Sequence, residues 1–255
     1  MQITLFTSND LRHNYLIDML SSISKKLFVI KEIKLNSKKL ELHTNLLYQK
    51  YFEDVNQAQT KVFKKDFQRK NNVKIYEIDH STINQISKKN FTEFFDSDYY
   101  IVFGSSYIKN ELLELLIKNK TINIHAGVSP YYRGTDCNFW ALYDNNPHLV
   151  GATVHYLSKG LDDGPILFHA MSKKKNNPHI YTMSTLKSAF FCLKTLIENN
   201  KLFDIKILKQ NKKKQIRYTK KINFNNFVLT NYYDKKIDLN SKQFKYSLLK
   251  DPFFL

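Results

Sequence analysis

The sequence predicts an α/β protein built on a doubly wound, mostly parallel sheet, with a short C-terminal extension. Three observations lead there. Short apolar runs alternate with stretches of helical spacing as far as Ile124, the pattern of strands joined by crossover helices. Hydrophobic residues make up 42% of the 255 residues, enough to fill one large core. All six glycines, Gly104, Gly127, Gly134, Gly151, Gly160 and Gly164, fall in one stretch of the chain. A glycine-poor chain that gathers its glycines together puts there the backbone that must turn sharply or approach a ligand.

Residues 2–6 are a short apolar run and the expected first strand. Thr7-Ser8-Asn9-Asp10 follows, rich in side chains that accept from free N–H groups at a helix start, and Leu11, Tyr15, Leu16, Met19, Leu20 and Ile23 recur at helical spacing. The turn then lies at the carboxyl end of a parallel strand, where ligands bind in such sheets. A helix start also carries partial positive charge suited to phosphate. Ser8, Asn9, Arg12 and His13 are therefore candidate substrate contacts, against the plainer reading of an N-cap with Arg12 in solvent.

A second strand is expected over 27–33. Residues 37–68 are charged and helical, with Leu46, Leu47, Tyr51, Phe52, Val55, Val62, Phe63 and Phe67 as the inward stripe. A strand over 73–78 is followed by a short helix capped by Ser81-Thr82, with Ile83 and Ile86 inward. A strand over 99–103, an amphipathic helix over 108–118 and a strand over 121–124 deliver Asn123 and His125 to a carboxyl strand end. Further strands are expected over 151–157 and 165–171, then a long helix over 180–199 and strand-like pieces over 203–208 and 215–218. No internal repeat or flexible linker interrupts the chain. Residues 1–200 are read as the main domain and 201–255 as a small extension, packed on that domain or against a second copy.

The net charge is +17, yet only Arg12, Arg69, Arg133 and Arg217 are arginine among 40 basic residues. Nucleic-acid readers favour arginine for its bidentate fork, so a lysine surface points to compositional drift rather than to a nucleic-acid partner. Anionic small substrates suit the charge equally well. Cys137 and Cys192 form no disulfide framework or metal spacing, no apolar run is long enough for a membrane span, and no secretion leader opens the chain. The expectation is a cytoplasmic protein.

The stretch TINIHAGVSPYYRGTDCNFWALYDNNPHLVGATVHYLSKGLDDGPIL, residues 121–167, carries the chemistry. Asn123 and His125 come from a strand end and Asp162 from a loop. No nucleophile motif accompanies them, and no H-E-x-x-H metal pattern is present. An amide, an imidazole and a carboxylate can run acyl transfer without a covalent enzyme intermediate. Asn and His donate to a developing oxyanion, while Asp orients the imidazole or takes a proton from an attacking amine. A carboxylate facing His125 is expected to raise its pKa and favour the protonated donor. His155 is read as packing, Trp140 as core, and Asp163 as the turn partner of Asp162. Tyr132 and Arg133 stand between substrate contact and a purely local role.

N-I-H at 123–125, S-P-Y-Y-R-G at 129–134, N-F-W-A-L at 138–142, G-A-T-V-H at 151–155 and L-D-D-G-P-I at 161–166 together resemble the folate-dependent formyltransferase family. That family includes glycinamide ribonucleotide, methionyl-tRNA and nucleotide-sugar N-formyltransferases. The resemblance is close over 121–167 and in outline over 1–120. It implies a Rossmann-like domain, 10-formyltetrahydrofolate as donor, a primary amine as acceptor, no metal, and Asn123, His125 and Asp162 as catalytic residues. It also implies pterin contacts along Ser106, Tyr107, Ile108, Leu157, Ser158, Gly160 and Leu161, and acceptor contacts near Ser8, Asn9, Arg12, His13, Tyr132 and Arg133. The family phrase P-S-L-L-P-x-Y-R-G is A-G-V-S-P-Y-Y-R-G here, a departure in the loop at 126–129.

By the same resemblance, a methionyl-tRNA enzyme adds a barrel, for which the residues beyond Asn200 are few, and a glycinamide ribonucleotide enzyme opens on a glycine-rich turn that 7–10 lacks. The implied acceptor is a nucleotide-linked amino-deoxysugar, such as a dTDP- or GDP-4-amino-4,6-dideoxyhexose, for surface polysaccharide. The competing readings are a methionyl-tRNA formyltransferase-like enzyme, a formyltetrahydrofolate hydrolase and a non-catalytic RNA-binding protein. A homodimer through the aromatic tail over 224–255 is left open.

Overall fold

The computed structural model describes residues 1–33, 45–64, 70–235, 237–239 and 246–255. An eight-stranded sheet runs through it in the order β10-β8-β7-β5-β4-β1-β2-β3. Its parallel half is β1 (Gln2–Thr7), β2 (Lys26–Ile33), β3 (Val73–Asp79), β4 (Tyr99–Val102) and β5 (Ile122–His125). β7 (Ala152–Tyr156) pairs antiparallel with both β5 and β8 (Ile166–Met171), and β10 (Phe253–Phe254) lies parallel to β8 at the edge. β6 (Tyr132–Gly134) and β9 (Arg217–Thr219) form a separate parallel pair. The doubly wound, mostly parallel α/β architecture expected from the sequence is the one observed.

Period two explains the layers. Ile3, Leu5, Leu27, Val29, Ile101, Ile122 and Ile124 face a core that includes Leu16 and Leu20 of α1 (Leu11–Ser21), Phe63 of α2 (Leu46–Phe63) and Phe190 of α5 (Pro178–Glu198). Phe6, Phe28, Ile30, Tyr100 and Val102 face the other side, against Leu112 and Leu116 of α3 (Asn110–Lys118). Strands covered on both faces read as largely apolar runs, which is how β4 reads throughout and β1 reads apart from Gln2 and its threonines. A third cluster lies under the loop after β5 and holds Trp140 of α4 (Cys137–Tyr143) and Leu229 and Tyr232 of α6 (Asn226–Asp234). Asparagine supplies the caps: Asn45, Asn177 and Asn225 accept from the N–H groups of Leu47, Ile180 and Val228.

Several local expectations change. Asp10 is the N-cap of α1 but makes no capping bond, because its carboxylate takes Arg12 at 2.8 Å. Thr82 likewise does not cap, and the expected helix after it is one 3-10 turn, Ile83–Gln85. Leu46 and Phe52 of the supposed inward stripe are exposed, because α2 offers only one side to its neighbours; Phe67 lies outside the described residues. The expected strand over 203–208 is a 3-10 turn, Leu202–Asp204, followed by a single bridge from Leu208 to Ile166. Its apolar residues do not alternate in burial: Phe203, Ile207 and Leu208 are all exposed.

One buried histidine ties the tail to the centre. His169 on β8 donates from Nε2 to the Ser129 carbonyl at 2.8 Å and accepts the Lys250 N–H at Nδ1 at 2.7 Å. Burial pushes its pKa down to about 4, ahead of the opposing pull of the Ser129 carbonyl. Above about pH 6.5 both folded and unfolded chains keep this ring neutral. As pH falls from there towards 4, the unfolded chain takes a proton that the folded one refuses, so stability drops by about 3 kcal/mol and then levels off. Urea midpoints measured from pH 7 to 4 are expected to show this slope, and His169→Gln, which keeps a donor and an acceptor, is expected to lose it.

Candidate active site

The site lies across the junction of the parallel and antiparallel halves of the sheet. Asn123 and His125 leave β5 on the same face, two residues apart. The antiparallel register sets His155 opposite Asn123 and Thr153 opposite His125, and Thr153 pairs in turn with His169. Three neighbouring strands thus present a row of polar side chains to one loop cluster. Thr153 shapes that cluster: its hydroxyl donates to the Gly127 carbonyl at 2.6 Å and accepts the Ser129 N–H at 2.9 Å.

Asp162 closes the group from the loop after β7. Its backbone is left-handed, φ +49, which aspartate tolerates better than most residues. One carboxylate oxygen, Oδ2, lies 3.4 Å from His125 Nδ1 and accepts the Gly134 N–H at 3.3 Å; the other, Oδ1, accepts from Asn123 Nδ2 at 3.3 Å. Asn123 Nδ2 also donates to His155 Nε2 at 3.0 Å. His155 Nδ1 donates to the Tyr156 carbonyl at 2.8 Å, which leaves the Nε2 lone pair for that amide and sets the amide's orientation. His155 therefore holds Asn123 in place. The packing role expected for it understates this. T-V-H repeats the two-residue spacing of N-I-H, and the register of the paired strands brings the two sets face to face.

The electrostatics differ from expectation at His125. Its side chain is only 7% exposed, and burial lowers its pKa below the ordinary imidazole value, outweighing the pull of Asp162. The resting ring is neutral at pH 7, not protonated. Burial alone would raise the Asp162 carboxyl, but His125, His155 and the Gly134 N–H bring it down to about 2. A neutral imidazole has one N–H, yet this ring faces two acceptors, Asp162 Oδ2 and the Tyr132 carbonyl 3.2 Å from Nε2. The site is thus built to welcome one further proton on His125 once negative charge develops beside it.

The two segments proposed from the sequence to line the pterin are each fixed by side chains from elsewhere. Ser106, Tyr107 and Ile108 follow β4, where the buried Glu32 carboxylate accepts the N–H groups of Ser81 at 2.8 Å and Ser106 at 2.5 Å. Asn84 fixes the same loop through the Tyr107 carbonyl at 2.9 Å and the Lys109 N–H at 2.7 Å. Leu157, Ser158, Gly160 and Leu161 follow β7, and Asp163 holds them by accepting from Ser158 Oγ at 2.5 Å. Ile108 is buried in the apolar cluster on this side of the sheet, and Leu157 packs against that cluster.

Four residues expected at the acceptor are enclosed. His13 is 1% exposed, bonded to Thr7 Oγ1 at 2.7 Å and set against Phe103. Ser8 is fully buried beside it. The Tyr132 hydroxyl donates to Asp144 at 3.2 Å and accepts from Asn146 at 2.7 Å. Arg133 spends its guanidinium on the Leu161 carbonyl at 2.6 and 3.2 Å and on Gln215 at 3.1 Å. These side chains are engaged by the surrounding loops. Asn9 and Arg12 remain half-buried at the first turn. The Cys137 thiol packs against Gly127, donates to the Gly134 carbonyl and is held protonated by burial.

The sequence pattern of the Formyl transferase family matches residues 54–188, more than half of the chain. This chain belongs to the formyl transferase family. Among curated relatives, a methionyl-tRNA formyltransferase of Prochlorococcus marinus subsp. pastoris is 27% identical over 154 residues, 57% of this chain and 46% of that protein. A formyltetrahydrofolate deformylase of Escherichia coli (strain K12) is 34% identical over 71 residues, 28% of this chain and 24% of that protein. The chain spans about half the length, or less, of the curated relatives it matches. Among solved structures, the formyltransferase PseJ of Anoxybacillus kamchatkensis, in complex with UDP-4,6-dideoxy-4-formamido-L-AltNAc and tetrahydrofolate, aligns with TM-score 0.52 at 19% identity. That alignment covers 88% of this chain and 87% of that one. A 4-N formyltransferase of Francisella tularensis aligns with TM-score 0.56 at 15% identity, over 91% and 86%. At these identities the likeness is one of fold. In this formyl transferase, among the described residues, no helix is long and apolar enough to cross a membrane. Nor does any group of three or more His, Cys, Asp and Glu residues stand ready to hold a metal.

Proposed function

We propose that this protein transfers a formyl group from 10-formyltetrahydrofolate to the amine of a nucleotide-linked amino-deoxysugar, and that 201–255 serves as an extension of a catalytic domain over 1–200. The observation that carries the reaction is the part-buried contact of Asn123, His125 and Asp162, held by His155 and Gly134. The acceptor reading is supported by fold likeness over most of both chains to proteins described as sugar N-formyltransferases, against matches to under half of the methionyl-tRNA enzyme.

Asn123 donates its amide to the oxyanion forming at the formyl carbon, giving up the longer of its two bonds, that to Asp162. Neutral His125 receives the proton released as the amine nitrogen bonds to that carbon. The ring becomes an imidazolium whose Nδ1–H stays on Asp162 and whose Nε2–H turns from the Tyr132 carbonyl to the new oxyanion. Asp162 stays ionised throughout and orients the ring. On collapse, His125 returns the proton to the leaving nitrogen of the folate, which departs as tetrahydrofolate, and the acceptor leaves as a formamide.

The test is an assay with 10-formyltetrahydrofolate and a panel of UDP-, dTDP- and GDP-linked amino sugars, with products weighed by mass spectrometry. Gain of one formyl mass on a sugar is the expected result. Turnover only with charged initiator tRNA would favour the tRNA enzyme, and formate release without any amine would favour the hydrolase; either overturns the acceptor reading.

A further inference from the structure

We propose that residues 208–219 form a strap that sets the position of the Asp162 carboxylate, with Gln210 as its positioning residue. This rests on the role given above to Asp162. The loop from Leu161 to Gly164 has no ladder of its own, and Asp162 sits in a left-handed conformation within it. Its carbonyls are instead held from outside the loop, that of Asp162 by Ser129 Oγ at 3.3 Å and, more closely, by the strap. Gln210 is 9% exposed, and its Nε2 donates to the carbonyls of Asp162 at 3.0 Å and Gly164 at 2.8 Å. Two mutual backbone bonds between Leu208 and Ile166, 2.8 and 2.9 Å, bring Gln210 there.

The rest of the strap grips the same loop. Gln215 accepts from Arg133 Nη1 at 3.1 Å, while the other guanidinium nitrogens of Arg133 donate to the Leu161 carbonyl. Lys212 pairs with Asp163 at 2.8 Å. β9 pairs with β6 and so positions Gly134, whose N–H donates to the Asp162 carboxylate. One segment thus fixes both the backbone of the residue that orients His125 and the far wall that its carboxylate touches.

The amide of Gln210 has a telling imbalance. Both donor protons are used, but its buried Oε1 has no partner among the described residues. A buried acceptor without a partner is unfavourable, and it is kept here because the reversed amide would set oxygen against two carbonyls. Catalytic geometry is steep in distance, with about a hundredfold in rate lost for a misplacement of ~1 Å. Removing the Gln210 donor from the Asp162 carbonyl is expected to be felt in turnover before it is felt in folding.

The experiment compares Gln210→Met, which keeps length and loses both donors, with Gln215→Met and Asp162→Asn, all in the full chain. Turnover would be followed with 10-formyltetrahydrofolate and the panel sugars, together with KM for both substrates, melting temperature and amide exchange over 160–165. For Gln210→Met the expected result is kcat down ten- to a hundredfold, both KM values within about threefold of native, and faster exchange confined to 160–165. A smaller change in the same direction is expected for Gln215→Met. Native kcat in Gln210→Met beside an inactive Asp162→Asn would overturn the strap alone. So would a rise in KM at unchanged kcat, or a loss of activity that merely follows the unfolded fraction. Native turnover in Asp162→Asn would overturn the reading of the site itself, and the strap with it.

Discussion

Asn123→Ala and His125→Ala will each lower turnover by roughly 10²–10³ or more without unfolding the protein, the scale at which one oxyanion donor acts in a water-poor site. Asn123 is the amide held between His155 Nε2 and Asp162, and His125 is the ring pressed between Asp162 and the Tyr132 carbonyl. Neither belongs to the apolar clusters of the core, and β5 keeps its pairing to β4 and β7 through backbone groups that alanine retains. Steady-state kinetics beside a melting curve checks both halves of the claim, and full turnover in the two variants would sink the assignment. The pH profile adds a sign. Because the resting ring must be neutral to accept the amine proton, kcat/KM is expected to fall as pH drops through the lowered His125 pKa and to be insensitive to this group above about 6.5.

Gly134→Ala is expected to damage both stability and activity. Gly134 has φ +94, and a Cβ there would sit 2.0 Å from the Thr219 carbonyl oxygen. Left-handed strain and the steric overlap together amount to about 3 kcal/mol. For a chain of this size that is a fall of roughly 6–12 °C in melting temperature. The overlap pushes β9 away from β6, and the Gly134 N–H that steadies Asp162 moves with it. Differential scanning calorimetry together with turnover per folded molecule separates the two effects. An unchanged melting temperature would mean that the β6–β9 pair can part without consequence.

The fold was legible because its signals are local and repeated: apolar runs such as Ile3–Phe6 and Tyr99–Val102 read as buried strands wherever they occur. The Asn123, His125 and Asp162 group was legible through its motif and spacing. What stayed hidden depended on pairing. His155 enters the site only because β7 runs antiparallel to β5 in one particular register. Gln210 enters only because Leu208 bridges Ile166, a single contact with no periodicity to announce it. The burial of His13 and Arg133 was hidden for the opposite reason. A polar side chain in a loop looks the same in sequence whether it meets a ligand or a backbone carbonyl.

The outer edge of β8 has a further consequence, for solubility. β8 is buried along its whole length, and two separate pieces of the C-terminal region seal its open side. Leu208 bonds to Ile166, while the Lys250 carbonyl takes the His169 N–H and β10 covers Ala170 and Met171. An apolar strand with free N–H and C=O groups is a template for another chain. Clipping between these pieces, or losing the last few residues, would bare that template beside an otherwise intact molecule. The species that results would precipitate rather than unfold, at temperatures where the uncut chain stays in solution.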